Sequence, residues 1–212
     1  MRYFTADTHY GHARIIEFCG RPYAEVSEMN ADLVMRASTI MSGGDELWHL
    51  GDVALGEREQ NLAYLAAIPA EVTLVAGNHD HCHPSNGDRA ERYVELYRRL
   101  CGLRKLYPEN AKLELASAMV VQVSHFPYAD PETNGLEDRH GRLVSDKFAK
   151  WRPIDDDSWL LCGHVHEMWR QRGRMINVGV DAWGGDPVSE EAILALIAAG
   201  TQDLPALDWQ RH

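Results

Sequence analysis

Cationic side chains are scarce: 21 Lys and Arg stand against 32 Asp and Glu, a formal net charge of −11 over 212 residues. That balance excludes a broad nucleic-acid-coating surface, because phosphate backbones are held by clustered Lys and Arg. It leaves room for a small phosphate pocket in which a metal ion outweighs the surface charge. Cysteine is scarce too. Cys19, Cys82, Cys101 and Cys162 are scattered, and none forms a CxxC pair. Reduced thiols are therefore the default. No apolar run is long enough to span a membrane. Met1 to Ala6 lack the basic start and long apolar stretch of a signal peptide. The expectation is a cytoplasmic protein with no membrane partner. There is no internal repeat and no low-complexity segment, and the chain most simply makes one domain, 1–212, with a sizeable core.

What is abundant is histidine. Eleven is high for this length, and several lie beside Asp or Asn. The first half alternates strand and helix. Strands are expected at 2–6, 46–50 and 72–76, and helices at 12–18, 27–41 (with Ser27 as N-cap) and 57–68. Polar residues follow each strand directly, which is where α/β folds place their chemistry. A polar stretch, His81 to Asp88, leads to a helix expected at 89–100. Strand-like runs follow at 103–107, 112–116, 118–124, 158–162 and 174–178. A terminal helix is expected at 189–199, then a loose tail. Residues 126–142 read as a long polar loop, a candidate active-site flap.

Five polar clusters each follow an expected strand: Asp7-Thr8-His9, Gly51-Asp52, Gly77-Asn78-His79-Asp80, Ser124-His125 and Gly163-His164-Val165-His166. Each is weak alone, and turn or capping chemistry would explain any one of them. Five in this order form a strong signal. Asp and His bind first-row transition metals, and Asn adds a neutral carbonyl oxygen. A strand-end DxH places two side chains within reach of one ion, and GHxH offers one imidazole to each of two neighbouring ions. Asp52 suits a bridging carboxylate. Glycines 51, 77 and 163 permit tight turns.

In this set and order the clusters resemble the signature of the calcineurin-like metallophosphoesterase superfamily: DxH, GD, GNHD or GNHE, a lone His, then GHxH. The match spans Asp7 to His166, and the opening TADTHYGHARII is similar to small bacterial and phage members. The resemblance implies an α/β fold, a four-layer α/β/β/α sandwich of two mixed sheets with helices on both outer faces. It implies one metal held by Asp7, His9, Asp52 and His166, and a second held by Asp52, Asn78, His125 and His164. His79 would be no ligand but the acid that protonates the leaving oxygen, oriented by Asp80. The implied reaction is in-line attack on phosphorus by a metal-bridging hydroxide, with the water's pKa lowered to about 7.

The leading expectation is a phosphodiesterase acting on small nucleotide or cyclic-nucleotide esters. A phosphomonoesterase or single-strand nuclease is the alternative within the fold. A catalytically silent protein-binding scaffold is the alternative outside it, though such relatives usually lack part of the motif set. Mn is the favoured metal from the resemblance, with Fe, Ni, Co or Zn also suited to mixed N and O ligands. The Val53-Ala54-Leu55 that follows Asp52 lacks the Tyr used by ferric members. Oligomeric state is not readable. His12, Arg139 and Arg142 are candidate substrate contacts, with His140 beside them. His49 reads as a core residue, His81 and His83 as an exposed loop, Asp155 to Asp157 as a solvated charge run, and Cys162 as a buried small hydrophobe.

Overall fold

The computed structural model describes residues 1–129 and 147–209. In the first half β1 (Arg2–Thr5), α1 (Ala13–Phe18), α2 (Val26–Ile40), β2 (Glu46–His49), α3 (Arg58–Ala66), β3 (Glu71–Val75), α4 (Ala90–Leu100) and β4 (Leu103–Tyr107) follow one another. The four strands pair in parallel in chain order. Their carboxyl ends therefore lie along one edge. The second half adds β5 (Ala111–Glu114), β6 (Val120–Val123), β7 (Leu160–Cys162), β8 (Gln171–Gly173), β9 (Met175–Asn177), β10 (Val188–Ser189), α5 (Glu190–Ala199) and β11 (Gln202–Leu204). β10 returns to pair antiparallel with β1, completing a five-stranded mixed sheet. The other six form a second mixed sheet, β11-β8-β9-β7-β6-β5, in which β6, β7 and β9 run parallel.

The period of two along each strand sorts the cores. Tyr3, Leu47 and Leu74 face one side of the first sheet and pack with Leu33 of α2, Leu65 of α3 and Tyr97 of α4. Phe4, Trp48 and Val75 face the other side. There they meet Val121, Leu161 and Ile176 of the second sheet, with Ile193 and Ile197 of α5 in the same core. A smaller cluster of Tyr128, Leu160, Cys162 and Trp169 includes the alternate residues of β7. Two mixed sheets thus pack face to face, with α2, α3 and α4 on the outer face of the first, in keeping with the sandwich the resemblance implies. Among the described residues no helix is long and apolar enough to cross a membrane.

Several boundaries move. α2 begins at Val26 with Glu25 as N-cap, and Ser27 lies inside the helix. The hairpin strands shorten to β5 and β6, with Ala118 taking a left-handed φ of 61° in the turn between them. β8, β10 and β11 are two or three residues long and were not expected. Gln202–Leu204, expected as part of a loose tail, instead pair with β8. Ser189 caps α5 by accepting from Ala192 N at 3.2 Å.

Candidate metal centre

The strand ends do not fan apart after the sheet stops. Leu50 N donates to Thr5 O at 2.7 Å, Asp7 N to Gly51 O at 3.0 Å and His9 N to Asp52 O at 3.0 Å. Val180 N donates to Ala6 O and Gly163 N to His125 O, each at 3.0 Å. The first contact ties the end of β9 to the end of β1, so both sheets deliver side chains to one place. Seven non-glycine residues among those described have positive φ. Five of them are expected ligands: Asp7 at 57°, His9 at 50°, Asp52 at 57°, His164 at 72° and His166 at 49°. Left-handed backbone costs a non-glycine residue roughly 1–3 kcal/mol and persists only where the surroundings over-determine it. Gly77 and Gly163 are needed for close approach rather than for turning. A Cβ on Gly77 would lie 2.3 Å from Asp52 Oδ1, and one on Gly163 would lie 2.6 Å from Asp7 Oδ2.

The expected ligands converge in two overlapping groups. Asp7, His9 and His166 bring ligand atoms within 4.8 Å of one another, and so do Asp7, Asp52 and His125. Asp52 Oδ2 stands 3.6 Å from His9 Nε2 and 3.5 Å from His125 Nε2, so a single oxygen faces both groups. Around His125 Nε2 lie Asn78 Oδ1 at 3.1 Å and His164 Nδ1 at 3.2 Å. The other nitrogen of His125 faces Leu50 O at 2.8 Å. A carbonyl only accepts, so Nδ1 carries the proton and Nε2 keeps its lone pair. Lone pairs of Asn78 and His125 therefore point at the same space, an arrangement that a cation stabilises. Asp7 Oδ1 and both ring nitrogens of His9 are buried and have no hydrogen-bond partner among the described residues. These orphaned atoms, together with the mixed N and O donors, fit divalent transition metals.

The electrostatics agree. Burial pushes the Asp7 carboxyl up to about 6, and burial with the neighbouring Asp80 and Asp7 raises Asp52 well above the carboxylate range. Burial holds His9 and His125 well below the usual imidazole range. Carboxylates crowded together with His9 and His125 kept neutral favour a gain of positive charge, whereas His166, raised to about 11 against its burial by hydrogen bonds to Asp181 and Cys19, holds a proton that an ion would displace.

The Asp80 carboxylate bonds to the backbone of two loops. Its Oδ2 accepts from Asp52 N and Gly77 N, each at 2.8 Å, and its Oδ1 accepts from Val53 N at 3.1 Å. Both oxygens accept from backbone, the Tyr97 side chain adds a further hydrogen bond, and the residue is fully buried. It pins the Gly51-Asp52 loop to the Gly77 turn. His79 is exposed. Its amide donates to Asp52 Oδ1 at 2.9 Å, and its ring lies edge-on to His9 at 5.5 Å. His12 is half-buried, with its ring 5.5 Å from that of His9. Arg139, His140 and Arg142, and most of the long loop, lie outside the described residues.

His83 is not the exposed loop residue expected. It is buried, with its ring against Phe126 and Trp151 and Nδ1 2.8 Å from Ser85 Oγ. His49 is buried and meets Thr8 Oγ1 at 2.9 Å. Asp155 and Asp157 pair with Arg174 and Asp156 with Lys112, so the acidic run is anchored as well as solvated.

Two residues that sequence reasoning missed complete the floor. Arg21 and Asp181 form an ion pair with both side chains at 0% exposure. Asp181 Oδ2 lies 2.8 Å from His166 Nδ1. Burial works against the charge on Asp181, but Arg21 and the His166 hydrogen bond hold its carboxyl below the usual range. The one available signal was Asp181 following β9 two residues after the Val178-Gly179 step, another strand-end acid.

The chain belongs to the calcineurin-like phosphoesterase superfamily, whose domain model matches residues 3–195. It is 33% identical over 195 residues to the gene 66 protein of Mycobacterium phage L5, covering 86% of this chain and 87% of that one. It is 35% identical over 207 residues to an uncharacterized protein of Methanocaldococcus jannaschii, covering 93% and 92%. A solved structure of a protein of unknown function from Aquifex aeolicus superposes with a TM-score of 0.64 at 22% identity, covering 92% of this chain and 98% of that one. That likeness speaks to the fold. Membership and the ligand groups make the chain a metal-dependent phosphoric ester hydrolase.

Proposed function

We propose that the protein is a dinuclear phosphodiesterase for small nucleotide or cyclic-nucleotide esters, with Mn²⁺ as the favoured metal. The observation that carries the two-metal reading is Asp52 Oδ2, placed 3.6 Å from His9 Nε2 and 3.5 Å from His125 Nε2 between two donor groups. Asp7, His9, Asp52 and His166 would hold one ion. Asp52, Asn78, His125 and His164 would hold the other. When bound, the pair supplies Lewis acidity, drawing charge from phosphoryl oxygens and making water acidic enough to attack near neutral pH.

The chain's own residues do the rest. His79, exposed beside His9, delivers a proton to the leaving oxygen, a contribution of roughly 10²–10⁴-fold. Partial burial and the nearby His12 and Lys147 lower the His79 pKa, so its acid form is a strong donor. Asp80 holds the two loops that carry Asp52 and Asn78 in register. A cleft of about 550 Å³ opens beside His164 and His166, walled by Phe18, Tyr128, Met168 and Trp169 with Arg152 among them. Apolar walls next to an anion-seeking centre suit the organic group of a phosphate ester, and this supports a diester over inorganic or small monoester substrates.

The test is a substrate panel with each of Mn²⁺, Fe²⁺, Co²⁺, Ni²⁺ and Zn²⁺. It would contain bis-p-nitrophenyl phosphate, p-nitrophenyl phosphate, mononucleotides, 2′,3′- and 3′,5′-cyclic nucleotides, and single-stranded DNA. Faster turnover of diesters, highest with Mn²⁺, is expected. A preference for monoesters would overturn the diester assignment, and no hydrolysis with any metal would favour a binding scaffold.

A further inference from the structure

Arg21 leaves the short loop after α1 and is buried at 3% exposure. Every donor of its guanidinium is used. Nε donates to Asp181 Oδ1 and Nη2 to Asp181 Oδ2, both at 2.8 Å. Nη2 also donates to Asp7 O at 2.7 Å, and Nη1 to Thr8 O at 2.9 Å and Met29 Sδ at 3.3 Å. A Lys, with three donors on one nitrogen, could not reproduce this fork. Asp181 in turn accepts from His166 Nδ1 at 2.8 Å. Asn177 Nδ2 donates to His166 O, also at 2.8 Å. The pair therefore touches the backbone of one expected ligand and the ring of another.

Cys19, His166 and Asp181 also lie within ligand distance of one another. Both Asp181 oxygens already accept from Arg21 and Oδ2 also faces His166 Nδ1, so three of its about four acceptor sites are taken. That commitment fits an orienting group rather than a third metal ligand.

We propose that Arg21 and Asp181 are a positioning pair for the metal centre. Asp181 fixes His166 with Nε2 as the ligating nitrogen, and Arg21 clamps the Asp7-Thr8 carbonyls so that Asp7, at φ 57°, aims its carboxylate inward. The inference rests on reading Asp7 and His166 as metal ligands. Physically, a carboxylate accepts only, so it forces the proton onto His166 Nδ1 and makes the ring more basic at Nε2. A buried ion pair is often no more stable than an apolar pair of similar size, so what the pair touches distinguishes it from a stabilising device.

The experiment measures divalent-metal binding calorimetrically in the wild type, in Asp181→Asn, and in the double variant Arg21→Met/Asp181→Leu. The double variant removes both buried charges together and leaves neither stranded. Removing such an orienting partner typically costs 10–100-fold in metal affinity. Asp181→Asn should therefore weaken one of two ions by that factor and leave the other within about threefold. The double variant should regain the melting temperature of the metal-free protein without regaining the affinity. A purely structural pair would give wild-type affinity once folding is restored, which would overturn the proposal. The ¹⁵N shifts of His166 in the Zn²⁺-loaded wild type need no variant. A protonated Nδ1 with metal at Nε2 is expected, and metal at Nδ1 refutes the proposal. A wild type that binds no divalent ion would instead defeat the underlying ligand assignment.

Discussion

Replacing Asp80 by Asn separates two roles that its position in Gly-Asn-His-Asp allows. In the structure its carboxylate accepts three backbone N–H groups, from Asp52, Gly77 and Val53. An Asn can put its oxygen where Oδ2 now sits and keep the two 2.8 Å contacts. Its amide nitrogen then faces Val53 N, donor against donor. The lost acceptor leaves a buried N–H unpaired, at about 1–3 kcal/mol. The two surviving bonds weaken because they are no longer charge-assisted. Relief works the other way: burial has pushed the Asp80 carboxyl up to about 6, so its charge was costly to hold. The net expectation is a loss of about 2 kcal/mol in the metal-free protein, or roughly 4–8 °C in melting temperature for a chain of this size. Metal affinity should fall as well, because the Asp52 amide is released. Thermal unfolding at pH 7.5 with chelator, and metal titration, read both effects. An unchanged melting temperature and metal content with a reduced kcat would refute this reasoning and restore the role of orienting His79.

His79→Ala should lower kcat by roughly 10²–10⁴-fold while elemental analysis still finds two metals per chain; loss of metal would remove His79 from the acid's role. Gly77→Ala drives a Cβ to 2.3 Å from Asp52 Oδ1 and 2.8 Å from His125 Nδ1, so metal binding should collapse. Gly43→Ala, where a Cβ meets nothing within 4 Å, should change neither metal binding nor folding by more than about 1 kcal/mol. Burial lowers the His49 pKa from 6.5 to about 3. Below pH 6.5 the unfolded chain takes a proton that folded His49 refuses, so stability falls as pH drops through that window. His49→Gln should reduce the slope of stability against pH between 4 and 6 by about 1.4 kcal/mol per pH unit; an unchanged slope contradicts a neutral buried ring.

The convergence of the candidate ligands was legible because each lies in a short motif directly after a strand, where a parallel sheet must place its side chains. The same adjacency says less about Asp80. Next to His79 in the chain, its carboxylate accepts from Gly77 N of its own loop and from Asp52 N and Val53 N of the neighbouring one, and no local pattern records the latter two. Arg21 and Asp181 stayed hidden because they are 160 residues apart and each alone looks like ordinary charge. β8, β10 and β11 were missed because two or three residues carry no periodicity, and only their long-range pairing makes them strands. The left-handed backbone at Asp7, His9, Asp52, His164 and His166 falls on residue types enriched at positive φ, but the positions themselves are set by the loops around them.

The central claim is one centre with two ions sharing Asp52. Electron paramagnetic resonance of the Mn²⁺-loaded protein tests it most directly, because a shared carboxylate couples the two spins. The account predicts two Mn²⁺ per chain with an exchange-coupled spectrum that Asp52→Asn abolishes. A single ion per chain, or two ions with uncoupled signals, would contradict it.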